Sequence, residues 1–346
     1  MTLMVLRLTL IAFALVFALP AQAKPAECAP SVQDRLWTQS ALDAWFSTAH
    51  DRLRIYAGDP PDFVMFDATC VYQTGIEARG APMVDGPRFA GRRIGWKARP
   101  HGGSVALPGG GAVPAQVTSF AAPYASNGRA FMVMALPSVW RDGGVHSALG
   151  LETLMTAVFV HEMTHTRQFY AFAPRLAALT ERYQLPDDIT DDSLQDSFKD
   201  DPAFVAAWTL ERDLLLQAQA EPDNVKARAL VRRAMEEAAT RPARFYTGDK
   251  AKWEGVENAF LTLEGIGQWA AWAWLTDPAG GGADPDTALP LFRRGGRFWS
   301  QDEGLLIMLA VDRFVPRWRE YAFDAQPEQI MRLWGRAAWD EQDPPD

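Results

Sequence analysis

Two histidines stand four residues apart around a glutamate in the run His161-Glu162-Met163-Thr164-His165. On an α-helix four positions amount to about 6 Å of rise and roughly 40° beyond one turn, so both rings project from one face and can share one metal ion. Glu162 falls beside them. A carboxylate there can take a proton from an activated water without itself holding the metal, which is the arrangement of hydrolytic zinc sites.

The surrounding residues predict the helix such a site needs. From Leu151 to Phe172, the residues Leu154, Val158, His161, His165 and Phe169 recur at spacings of three or four, and Pro174 is expected to end the pattern soon after. The two rings therefore lie on an apolar stripe. That leaves a metal site or histidines hydrogen-bonded in the core, and the intervening glutamate favours the metal.

A catalytic zinc normally takes three protein ligands and keeps one position open. A third histidine six residues after the second is absent, because position 171 is Ala and Gln168 replaces the glycine of the longer pattern. His50, His101 and His146 all lie upstream, so a downstream carboxylate is the better expectation. The segment 253–275, WEGVENAFLTLEGIGQWAAWAWL, reads as a long apolar helix in which Glu264 lies deepest. An unpaired carboxylate is costly there, so a cation must face it, either a metal or an arginine. Glu257, seven residues earlier on the same face, ranks second as a ligand or as an acceptor behind one. Glu211, in the helix-like AFVAAWTLERDLLLQA, ranks third. Gln168 either orients a ligand or caps the helix surface, and no oxyanion donor stands out beyond Tyr170 and Tyr246.

With its H-E-x-x-H run and the later Glu264-Gly265-Ile266-Gly267-Gln268-Trp269, the chain resembles the zincin superfamily of zinc metallopeptidases, in its glutamate-ligand (gluzincin-like) branch. Several families of that branch supply the third ligand from an E-G-x-A-x-Y signature, from which this chain departs at Gly267 and Trp269. Glu264 lies 99 residues after His165, which implies helices inserted between the ligand helices. The resemblance implies that His161, His165 and Glu264 hold Zn2+ and that Glu162 is the catalytic base. It further implies a small sheet packed on the motif helix, with an edge strand that pairs with an extended peptide or protein substrate. Two other readings stay open: a binding or scaffold protein of the cell envelope that keeps the fold without turnover, and a zinc hydrolase acting on something other than peptides.

Other chemistries find no support. A bundle-type di-iron site needs a second Glu-x-x-His, an esterase needs Gly-x-Ser-x-Gly, and a phosphate loop needs Gly-Lys-Ser/Thr; the chain has none of these.

The N-terminus sets the expected compartment. Arg7 precedes Leu8 to Leu19, apolar apart from Thr9, and then come Pro20 and Ala21-Gln22-Ala23, which describes a secretory signal peptide over residues 1–23 cleaved after Ala23. A secreted or periplasmic protein with no stable membrane span follows. Without Arg7 the chain carries 33 basic against 43 acidic groups, a formal charge of −10 that argues against nucleic acid as a partner. The two cysteines, Cys28 and Cys70, are expected to form one disulfide in an oxidising compartment.

The expected fold is α+β and predominantly helical, zincin-like, with a sheet-containing part over residues 24–146 and a helical part over 147–346. Asp34 to His50 reads as a first helix and Asp62 to Tyr72 as a strand. Ser104 to Leu107, Ala115 to Phe120 and Ala130 to Leu136 read as further strands, with Gly109 to Gly111 as a hairpin turn. The seven aspartates between Asp187 and Asp201 read as a solvated loop that also caps helices. Most of the thirteen tryptophans read as core, and Gly280 to Gly282 as a linker.

Overall fold

The computed structural model describes residues 28–59, 62–74, 83–124, 129–186, 189–323, 327 and 329–339. The expected signal peptide lies outside these residues. Ser31 opens α1 (Val32–Ser47) by accepting the amide of Asp34 on its side chain, and the helix ends in a π-turn over Thr48–Arg52. The expected single strand 62–72 is a hairpin instead, β1 (Asp62–Phe66) and β2 (Cys70–Gln73). The Asp67 carboxylate accepts the amides of Thr69 and Cys70, an Asx turn that reverses the chain. Cys70 is disulfide-bonded to Cys28, with Cα atoms 5.8 Å apart, which pins the segment before α1 to the sheet.

Short strands follow: β3 (Met83–Val84), β4 (Arg88–Phe89), β5 (Arg92–Arg93), β6 (Trp96–Pro100), β7 (Ser104–Ala106) and β8 (Ala112–Pro114). Gly109, Gly110 and Gly111 all have φ between 78° and 107°, conformations that side-chain-bearing residues avoid, and they turn β7 into β8 as expected. The strand expected at 115–120 begins later, as β9 (Ser119–Pro123), and is followed by β10 (Ala130–Ala135). Residues 115–118 leave the ladder after Pro114 and reach across to β10, where the Ala135 amide donates to the Thr118 carbonyl.

Six strands form one mixed sheet in the order β3-β6-β2-β1-β10-β9. β1 and β10 run parallel at its centre, and every residue of both is buried, as expected for strands covered on both faces. β9 is the outer strand and runs antiparallel to β10.

After α2 (Pro137–Asp142) the chain is helical: α3 (Leu151–Tyr183), α4 (Ser193–Phe198), α5 (Pro202–Ala220), α6 (Asn224–Phe245), α7 (Trp253–Thr276), α8 (Pro285–Phe292), α9 (Trp299–Phe314), α10 (Trp318–Ala322) and α11 (Ile330–Trp339). The protein is thus α+β and mostly helical, with a small mixed sheet. α3 runs on through Pro174, which is exposed, rather than ending there. Asp201 and Asp223 cap α5 and α6 by accepting two backbone amides each. Gly280 to Gly282 form a turn folded back on the end of α7 rather than a free linker, with Gly281 donating to the Trp274 carbonyl. One apolar core runs from Trp37 and Trp45 of α1 through the sheet to Trp318 and Trp334.

Candidate metal centre

α3 lies across β9 and β10 and turns its other face to α7. That crossing brings Glu264 to both histidines. Glu264 Oε2 lies 3.2 Å from His161 Nε2, and Oε1 lies 3.3 Å from His165 Nε2, with all three side chains buried. The rings meet edge to face with centroids 4.3 Å apart. His165 Nδ1 is 2.9 Å from Gln168 Oε1, and Gln168 Nε2 donates to the Thr262 carbonyl of α7 at 3.2 Å. Gln168 therefore orients the ring with a proton on Nδ1, which leaves Nε2 to donate to Glu264 when the ring is protonated and to offer a lone pair when it is neutral.

Two glycines let α7 come this close. A Cβ on Gly267 would stand 2.8 Å from His165 Cε1 and 3.0 Å from His161 Cε1, so the imidazoles occupy the space a side chain would fill. A Cβ on Gly265 would stand 2.8 Å from the Gly304 carbonyl of α9, so these two helix backbones touch as well. Each glycine in a helix interior costs about 1 kcal/mol relative to alanine, and here close contact explains both.

The electrostatics follow from burial and pairing. Burial raises the Glu264 carboxyl, but His165 and His161 overcome it and hold the group far below the usual carboxylate range. Burial opposes charge on His165, yet Glu264 by charge and hydrogen bond, with Glu162 behind it, raises the ring to about 9.

The three donors also fit a metal ion. Two imidazole nitrogens and a carboxylate oxygen lie within 4.8 Å of one another, and no other such group occurs among the described residues. Ligands at about 2.0–2.1 Å from a tetrahedral zinc stand roughly 3.3 Å apart, close to the two separations found here. His161 Nδ1, by contrast, is buried with no hydrogen-bond partner among the described residues, so packing and the Nε2 contact with Glu264 orient that ring.

Glu162 does not approach Glu264's oxygens as a fourth donor but faces a cleft of about 560 Å³, lined also by His161, Ser119 of β9, Trp140, His146 and Gln268. Burial raises its carboxyl, while His161 and His165, and a hydrogen bond from Ser119, pull the other way. The net shift is upward, so Glu162 holds a proton more readily than a free carboxyl, which suits proton transfer.

Glu257 and Glu211 lie elsewhere. Both face Arg241 of α6, at 3.0 Å and 3.2 Å, together with Glu303 of α9 at 3.2 Å. Trp208 Nε1 donates to Glu303 at 2.8 Å. One guanidinium cannot balance three carboxylates, so burial and the neighbouring acids raise Glu211 to about 9 and Glu257 to about 7 despite Arg241.

Of the other sequence candidates, Tyr170 is 71% exposed outside the cleft, and Tyr246 is buried beside Glu257. His101 is 2.8 Å from the Asp67 carbonyl, far from this site in the fold. The acidic loop is less solvated than expected: Asp191 is largely buried, and burial first, then Glu264 and Asp192, raise it to about 7. The cleft also holds His146, which the sequence set aside as a ligand, and two residues that sequence reading missed, Arg294 and Arg297. All sit in loops where no periodicity operates, although the run Arg293-Arg294-Gly295-Gly296-Arg297 is conspicuous in an acidic chain. Comparison with protein-family models, curated proteins and solved structures finds no match to this chain.

Proposed function

We propose that the chain is an exported zinc-dependent hydrolase of the zincin type that cuts peptide bonds. The observation that carries this reading is Glu264, delivered by α7 to the Nε2 atoms of both histidines while Glu162 faces the adjoining cleft. His161, His165 and Glu264 would hold the zinc. When bound, zinc supplies Lewis acidity towards water and towards a carbonyl.

The chain's own residues do the rest. Gln168 fixes the tautomer of His165, and the Gly267 contact fixes both rings. Glu162 takes a proton from the attacking water at its carboxylate and returns it to the departing amine, with Ser119 steadying the carboxylate. β9, the outer strand of the sheet, offers its unpaired edge to an extended peptide beside Glu162. Cys28–Cys70 suits an oxidising compartment, and no helix among the described residues is long and apolar enough to cross a membrane.

The test is cleavage of a mixed peptide library with and without chelator, with Glu162→Gln as control. Cleavage that stops with chelator, returns with zinc and is lost in the control supports the reading. An intact zinc site with no cleavage of any peptide returns the protein to the scaffold or non-peptide alternatives.

A further inference from the structure

The loop between α8 and α9 carries three arginines with different fates. Arg293 grips Asp302 in the first turn of α9, Nε to Oδ1 at 2.6 Å and Nη2 to Oδ2 at 2.9 Å. Arg212 approaches the same carboxylate at 3.6 Å, and the bare Gly296 makes room, since an added Cβ there would collide with the Arg212 guanidinium. Arg293 thus anchors the loop.

Arg294 and Arg297 are left over. Both line the cleft that His161 and Glu162 face, and both lie over the Phe298 ring, with guanidinium carbons 5.5 Å and 5.3 Å from its centroid. No carboxylate of the described residues lies within 4.0 Å of either one. Asp192, which feels the charge of Arg297, stands beyond that distance. The backbone is bent to present them: Arg294, Gly295 and Gly296 have φ of 50°, 66° and 75°, a conformation uncommon for a non-glycine residue. Both side chains are exposed at the cleft rim, where crowding by protein atoms and then the neighbouring Arg297 disfavour charge on Arg294.

Two like charges held side by side at the exposed rim of a cleft, on a strained turn and with no carboxylate of the described residues in ion-pair contact, are arranged for an anion from outside. We propose that Arg294 and Arg297 form a carboxylate-binding subsite, so that the substrates are acidic peptides with an Asp or Glu side chain, or a free C-terminal carboxylate, close to the bond Glu162 faces. The planar guanidinium fork suits a carboxylate, and Phe298 holds both forks in place. This rests on the hydrolase reading of the same cleft.

The experiment separates binding from turnover. Hexapeptide pools with Glu fixed at each position in turn, and matching Gln pools, are each made as free acids and as amides. Retention on immobilised Glu162→Gln protein is read by mass spectrometry. Glu-containing or free-acid pools should be retained about 10-fold better than their neutral counterparts at low salt, and less so as salt screens the charges. The Glu/Gln and acid/amide arms show which carboxylate is used. Arg294→Gln with Arg297→Gln should abolish the preference with an unchanged Tm. Equal retention of acidic and neutral pools, or a preference that survives the double substitution, overturns the subsite. The same pools incubated with active protein keep the two ideas apart. A binding preference without any cleavage sinks the peptidase and leaves the subsite standing, whereas cleavage indifferent to acidity does the reverse.

Discussion

Glu257 and Glu264 sit seven residues apart on one face of α7, both buried, and each meets a different cation. Glu257 faces Arg241, whose charge is permanent, and two further glutamates crowd the same guanidinium. Glu264 faces two imidazoles, which are cationic only while protonated and offer lone pairs once neutral. The first cluster draws its cation from the chain itself and ties α5, α6, α7 and α9 together. The second is conditional: it can be closed by protons or by a metal ion, and it borders a cleft. A buried acid must be paired with a cation or keep its proton, and whether its partner's charge is permanent or replaceable separates structure from chemistry here.

Exchanging the two glutamates' roles by mutation gives the largest expected effect. Glu264→Ala should fall from full metal occupancy to near none after dialysis, whereas Glu257→Ala keeps its metal, both read by elemental analysis. The comparison breaks if Glu257→Ala is the variant that loses metal. Next, Arg241→Met leaves three acids around no cation and should destabilise the protein by about 3–5 kcal/mol in chemical denaturation.

pH distinguishes the clusters in metal-free protein. His165 is raised in the folded state, so its contribution is full below its unfolded pKa of about 6.5 and is lost as pH rises through about 9. Glu211 and Glu257 are acids raised to about 9 and about 7, so the unfolded chain ionises first and stability falls over the same alkaline direction, from about 4.5 upward. Denaturation midpoints of metal-free protein should therefore drop between pH 6.5 and 9. Zinc should remove the His165 share and leave the Arg241 share, so identical slopes with and without zinc would contradict the assignment.

Gln168→Ala should weaken metal affinity about 10- to 100-fold, measured by competition with a chromophoric chelator. The smallest change in stability is expected from Gly267→Ala. Its gain in helix propensity is about 1 kcal/mol, offset by a Cβ pressed against both rings, so Tm should barely move while metal affinity falls.

The sequence carried much of this because helical spacing is a strong signal. His161 and His165 lie on the stripe that Leu154, Val158 and Phe169 define, and Glu264 is the deepest acid of its helix. What spacing could not reveal was which cation each acid receives. The sign was present in α6, where Ala227, Val231, Ala234, Ala238 and Arg241 form one buried stripe ending in an arginine, a residue that must bring acids with it. The strand boundaries from 62 to 123 were less legible because an Asx turn at Asp67 and short edge ladders set them, rather than alternation. The cleft arginines escaped notice because a loop has no repeat to break.

Gly265 and Gly267 place bare backbone against α9 and Ile330 on one side and against the two rings on the other, so Glu264 hangs from a helix pressed close on both flanks. A jaw this stiff gauges whatever it grips. Ions whose bonds run near 2 Å fit between its three donors, while calcium, which takes its oxygens at about 2.3–2.6 Å and wants six or more of them, would have to pry the helices apart.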